Sequence, residues 1–178
     1  MSLQKDFKTT IAPALKQELG LKNIMQVPKM EKVVINVGVG KFTKDKQYIE
    51  NVERTLARIT GLKPVKTKAR QSISNFKIRE GNIVGVKVTL RGKRMYDFVE
   101  KLLRATLPRV RDFRGISLKG FDKQGNYTLG FKEHLAFPEV KADDVDHIHG
   151  LEMVFQTNAK NKAEGLALLT ALGFPFSK

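Results

Sequence analysis

The chain has 178 residues, a formal net charge of +15 and neither cysteine nor tryptophan. That length suits one domain, and 41% hydrophobic residues suffice for a packed core, which argues against wholesale disorder. The lack of cysteine excludes a disulfide framework, cysteine-ligated zinc and cysteine nucleophiles. The polar opening is no secretory signal and no apolar run nears the roughly 20 residues needed to span a bilayer, so a soluble intracellular protein without membrane partners is expected.

In chain order, Phe7, Ile11, Leu15 and Leu19 recur every four residues and predict a helix over Leu3–Leu19, with Pro13 as a kink and Gly20 as its stop. Val33, Ile35 and Val37 alternate with Lys32, Val34 and Asn36, which predicts a strand ended by Gly38-Val-Gly40. Asp45 is placed to cap a helix with the stripe Ile49, Val52, Leu56 and Ile59, ended by Gly61. A short strand is expected over Val65–Lys68, then a basic loop at about 70–80. In Ile83–Arg91, Val84, Val86, Val88 and Leu90 face one way, and Gly85, Lys87, Thr89 and Arg91 the other.

Gly92 opens a helix with Met95, Phe98, Val99, Leu102, Leu103 and Thr106 on one face, stopping near Pro108. Its Asp97–Lys101 and Glu100–Arg104 spacings read as a self-paired solvated surface. A loop-rich insertion at about 109–147 follows, containing a short strand at Tyr127–Phe131. Leu151, Met153 and Phe155 mark another strand. The last helix begins at Asn161, with Glu164 three residues on, and ends at Gly173 and Pro175.

Helices with one apolar stripe and strands with one apolar face predict a single α+β domain over 1–178. Its expected form is two-layered: a mostly antiparallel sheet, helices on one face, the other face open. That open face would carry Lys32, Asn36, Lys87, Thr89 and Arg91. Residues 1–132 have a net charge of +18 and residues 133–178 of −3. Leu62–Arg79 holds Lys63, Lys66, Lys68, Arg70, Lys77 and Arg79 without one acid, interleaved with Val65, Ile73, Phe76 and Ile78. Basic groups around an aromatic reach phosphates and stack on bases, so the expected partner is a polyanion, RNA first.

Other motifs fail. Gly38-Val-Gly40-Lys41 has Ile35 and Phe42 where a phosphate-binding loop needs Gly and Ser or Thr, and Thr43 where a dinucleotide fingerprint needs Gly. There is no GXXG loop and no aromatic-rich RNA-recognition pattern. Asp143, Asp144, Asp146, His147 and His149 form a dense cluster of potential metal ligands, and on a strand the two histidines would share a face. Their spacing matches no established ligand pattern. The Asn126-Tyr-Thr128 sequon means little without a secretory signal.

Several stretches together resemble one family. They are Met25-Gln-Val-Pro-Lys-Met-Glu-Lys32, Val34-Ile-Asn-Val-Gly-Val-Gly40, Thr67-Lys-Ala-Arg70, Ser72-Ile-Ser-Asn-Phe-Lys-Ile-Arg79, Lys87-Val-Thr-Leu-Arg-Gly92, Pro108-Arg-Val-Arg-Asp-Phe-Arg-Gly115, Gly125-Asn-Tyr127 and Leu172-Gly-Phe-Pro-Phe-Ser-Lys178. From about Asp6 onward the chain resembles the bacterial large-subunit ribosomal protein five family, which binds 5S rRNA.

The resemblance implies a nonenzymatic, cofactor-free protein of the cytoplasmic ribosome. It would hold 5S rRNA in the central protuberance beside 23S rRNA and neighbouring large-subunit proteins. The expected rRNA-binding residues are Lys32, Asn36, Lys63, Thr67, Lys87, Thr89 and Arg91. Arg70, Ser74, Asn75, Phe76, Lys77 and Arg79 would form a loop reaching P-site tRNA, and another surface would bridge to a small-subunit head protein. Leu62 stands where the family often has Gln, which removes a hydrogen-bonding side chain. The competing readings are a metal-dependent phosphodiesterase built on the Asp143–His149 cluster and a general RNA chaperone.

Overall fold

Alternation of apolar and polar residues makes strands with one dry face, and the cluster Val33, Ile35 and Val37 is the clearest instance: all three are buried. The computed structural model describes residues 2–42, 45–140 and 147–177. Its strands β1 (Met30–Gly38), β2 (Val65–Lys68), β3 (Ile83–Leu90), β4 (Tyr127–Phe131) and β5 (Leu151–Thr157) form one antiparallel sheet in the order β2-β3-β1-β5-β4. With its helices the fold is α+β. The chain divides into two compact units, one of Met1–Val33, Leu90–Leu129 and Val154–Lys178, the other of Val34–Thr89 and Gly130–Met153.

In the first unit the opening segment is helical, as α1 (Leu3–Asp6), a π turn (Phe7–Ile11) and α2 (Ala12–Glu18). The Ala12 amide bonds the Phe7 carbonyl five residues back, immediately before Pro13. Pro13 donates no hydrogen bond and crowds the carbonyl four residues earlier, so the backbone widens rather than breaking. This extra residue per turn moves the buried stripe to Leu3, Ala12 and Leu15, leaving Phe7, Ile11 and Leu19 half-buried. The same device recurs after α4 (Gly92–Lys101). There a π turn (Leu102–Thr106) places the Leu107 amide on the Leu102 carbonyl just before Pro108, and one more helical turn carries the chain to Arg109. The Leu3 amide donates to Glu100 Oε2 at 3.1 Å, and Phe7 packs on Tyr96 with ring centroids 5.9 Å apart.

Two of the motifs in this unit, the Gly-Phe-Pro-Phe ending and Gly125-Asn-Tyr127, are packing devices. Ile116 donates to the Pro175 carbonyl at 2.8 Å and Ser177 returns a bond to the Ile116 carbonyl at 3.0 Å, so the Gly-Phe-Pro-Phe ending pairs with the chain just past Gly115. Tyr127, 1% exposed, stacks edge-on with Phe176 and hydrogen-bonds the Ser117 carbonyl through its hydroxyl at 2.9 Å. The sequon asparagine is likewise structural, since its amide donates to Asp122 Oδ2 and its oxygen accepts from the Thr157 amide. α5 (Lys162–Ala171) starts where Asn161 Oδ1 accepts from the Glu164 amide, and Glu164 reaches back to the Lys160 amide.

In the second unit α3 (Lys46–Thr60) buries Ile49, Val52, Leu56 and Ile59, the predicted stripe, together with Tyr48. Asp45 Oδ1 accepts from the Tyr48 amide at 3.0 Å, and Gly61, at φ +66, ends the helix in the left-handed conformation that a side chain would resist. Val86 and Val88 of β3 and Leu151 and Met153 of β5 add to this unit's core.

Candidate nucleic-acid interface

The cross-strand register sorts the second unit's polar residues into two faces. β2 pairs with β3 as Val65↔Lys87, Lys66↔Val86 and Thr67↔Gly85. Paired residues share a face, so Lys66 lies on the side of buried Val86, whereas Val65 and Thr67 lie on the side of Lys87. Lys66 Nζ meets Glu53 of α3 at 2.8 Å, and this hydrogen bond, then the Glu53 charge, raises the ammonium's pKa. The helix therefore sits against the Val86 face. The other face presents Lys87 and Thr89, both exposed, Thr67 and Asn36, both half-buried, and Val65, 58% exposed.

Beyond β2 the chain forms a tied extension. Ala69 donates to the Asn82 carbonyl and Gly81 to the Ala69 carbonyl, at 2.8 and 3.0 Å. Further out the Glu80 amide bonds Ser72 Oγ, and Ile73 and Ile78 exchange backbone bonds of 2.9 and 3.2 Å. At the tip, Ser74–Phe76 makes one 3₁₀ turn, closed by the Lys77 amide on the Ser74 carbonyl. Lys77 has φ +54, an uncommon conformation for a residue with a side chain. Arg70, Ser74, Asn75, Lys77 and Arg79 are all exposed, and Phe76 is 71% exposed. The tip thus holds an exposed aromatic ring among cations, a combination that can stack on a flat, negatively charged partner.

The remaining expected residues fall elsewhere. Lys63 is exposed just after Gly61, and Leu62 is half-buried beside it, lining an open groove of about 520 Å³ with Glu50, Glu53 and Arg54. Lys32 and Arg91 belong to the first unit: Lys32 is half-buried on β1 and Arg91 is the exposed, extended residue before α4. In that unit Arg109, Arg111 and Arg114 are also exposed. Exposed Glu152 of β5 alternates with buried Leu151 and Met153, so an acid lies on the side of β5 away from the core. Gly85 was placed on the polar side of its strand by alternation, but its neighbour Thr67, like Val65's neighbour Lys87, is given only by the β2–β3 register.

The segment holding His147 and His149 is not a strand. His147 and His149 do not share a strand face: His147 is exposed, and His149, 7% exposed, stacks on His134 at 3.9 Å between centroids and 13° between planes. Burial first, then the neighbouring His134, push His149 down to about 4. Burial likewise lowers His134. Asp143, Asp144 and Asp146 lie outside the described residues, and among the described residues no three metal-ligating side chains cluster.

The fold and site define an α+β protein with a polar sheet face carrying Lys87 and an aromatic-tipped basic loop. The family model described as Ribosomal protein L5 matches residues 23–79, and the model of the same ribosomal family's C-terminus matches residues 83–176. The chain is 51% identical over 174 residues to the large ribosomal subunit protein uL5 of Dichelobacter nodosus, covering 98% of this chain and 97% of that one. It is 49% identical over 175 residues to uL5 of Natranaerobius thermophilus, covering 98% of each. These matches define a structural ribosomal protein rather than an enzyme. The chain belongs to the ribosomal protein L5 family.

Proposed function

We propose that this chain, a structural protein of the large ribosomal subunit in the cytoplasm, binds 5S rRNA and anchors it in the central protuberance. The observation that carries this reading is the face on which Asn36, Thr67, Lys87 and Thr89 stand together, with no acid in β2 or β3. Lysine displaces counterions from the RNA backbone, while Asn and Thr supply both donors and acceptors to 2′-hydroxyls and phosphates. Lys63 adds a cation beyond α3, and Lys32 and Arg91 are further cations proposed to meet the rRNA.

The tied loop is a second contact. Arg70, Lys77 and Arg79 neutralise phosphates of P-site tRNA, while Ser74, Asn75 and Phe76 shape the tip that meets it. 23S rRNA and neighbouring large-subunit proteins complete the surroundings. A further surface bridges to a protein of the small-subunit head, and the acid-rich stretch after residue 133 suits a surface turned away from RNA or toward a basic protein.

The test is 5S rRNA binding by Lys87→Ala and Arg91→Ala variants across a salt series. Each is expected to weaken binding and to lower the salt slope by about one. Parent-like binding by both would remove Lys87, the sheet face's cation, and Arg91 from the interface.

A further inference from the structure

Gly85 sits in the interior of β3, where glycine is ordinarily unfavourable, and its backbone is not in the left-handed region that would call for it. Space explains it. A Cβ at position 85 would lie 2.7 Å from Thr67 Oγ1, 3.4 Å from Asn36 Oδ1 and 3.4 Å from the Val37 carbonyl oxygen. Two side-chain oxygens, one from each neighbouring strand, thus converge on the room a side chain would fill. The register breaks at the same point: Thr67 pairs with Gly85, but Lys68 pairs with Ile83, so Val84 is bulged out. Such irregularities re-aim neighbouring side chains. Gly85 is buried although it lies on the face of exposed Lys87, because these side chains lean over it.

We infer that Gly85 is a positioning residue that lets the Thr67 hydroxyl and the Asn36 amide act as one site for a ribose 2′-hydroxyl of the bound RNA. The atoms that converge there, Thr67 Oγ1 and Asn36 Oδ1, both accept and the hydroxyl also donates, so the pair can take the proton of a 2′-hydroxyl, itself a donor and an acceptor, which a phosphate does not carry. Lys87, beside Gly85 on the same face, supplies the charge that brings the backbone in. The consequence is discrimination: one nucleotide is recognised through its ribose and not only through charge. This inference rests on the 5S rRNA reading above.

The test is 2′-deoxy interference. 5S rRNA carrying scattered 2′-deoxy substitutions is selected for binding to the full chain and to Gly85→Ala, Thr67→Ala and double variants, with thermal melting of each protein in parallel. The parent is expected to reject 2′-deoxy at one or a few nucleotides, and Thr67→Ala to lose that rejection at one of them with about a fivefold loss of affinity. Gly85→Ala should lose the same signal and melt lower. The double variant should regain melting temperature, since the collision is gone, yet bind no worse than Thr67→Ala alone, because both changes act through one hydroxyl.

Interference retained in Thr67→Ala, losses that multiply in the double variant, or uniform tolerance of 2′-deoxy by a selectively binding parent would each overturn the inference while leaving 5S binding intact. A parent with no preference for 5S rRNA would overturn the broader reading, and the inference with it.

Discussion

His149 stays neutral near pH 7 because burial against His134 disfavours its cation. Its folded pKa, about 4, lies below the ordinary value of 6.5, so the unfolded chain binds the proton more readily. The stability this contributes is complete above pH 6.5, falls as pH drops toward 4, and changes no further below that. The loss is on the order of 3 kcal/mol. Melting temperature followed from about pH 7.5 to pH 4 should fall in that window, and His149→Phe, which keeps a flat ring, should flatten the curve; an unchanged slope would contradict this account. At the same scale Glu152 opposes a polyanion on its side of β5, so Glu152→Gln should tighten RNA binding about two- to threefold at low salt and make no difference at high salt. A titration at two ionic strengths decides it.

Elements show why some of the fold was legible and some was not. α3 carries its whole specification locally: Asp45 to start it, four apolar residues at helical spacing, Gly61 to end it. Leu56, fully buried in that stripe, should cost about 2–5 kcal/mol on truncation to alanine, read by denaturant unfolding. Alternation likewise exposes the polar sides of β1 and β3 in the sequence. The π turns were hidden, because a proline marks a disturbance without saying whether the helix kinks, stops or widens. The facing of β2 was hidden for a related reason. Lys66 and Thr67 are adjacent polar residues, and only pairing with β3 sends one to Glu53 and the other toward Asn36. His147 and His149 would share a face only on a strand, and these two are not in one, so the stacking of His149 on His134 was not legible from their spacing. The β2–β3 extension is tied by its own backbone bonds, so removing Ser74–Lys77 should leave β2–β3 pairing intact. 5S rRNA binding is then expected to persist while ribosomes carrying the variant misplace P-site tRNA in footprinting. Loss of 5S binding would argue against two separate surfaces.

Over the whole molecule, a net charge of +15 attracts any polyanion, so charge alone gives attraction without choice. Choice has to come from the shape of the polar face and from groups that read ribose as well as phosphate. That separates the proposed 5S anchor from a general RNA chaperone, which would share its salt dependence and lack its preference. The direct measurement is binding of the purified chain to 5S rRNA and to a size-matched structured RNA over a salt series, with and without Mg²⁺, and with RNA integrity checked. Both affinities should fall steeply with salt, the preference for 5S rRNA should persist as they fall, and the RNA should remain intact. Equal affinity for the two RNAs at every salt concentration would contradict the account.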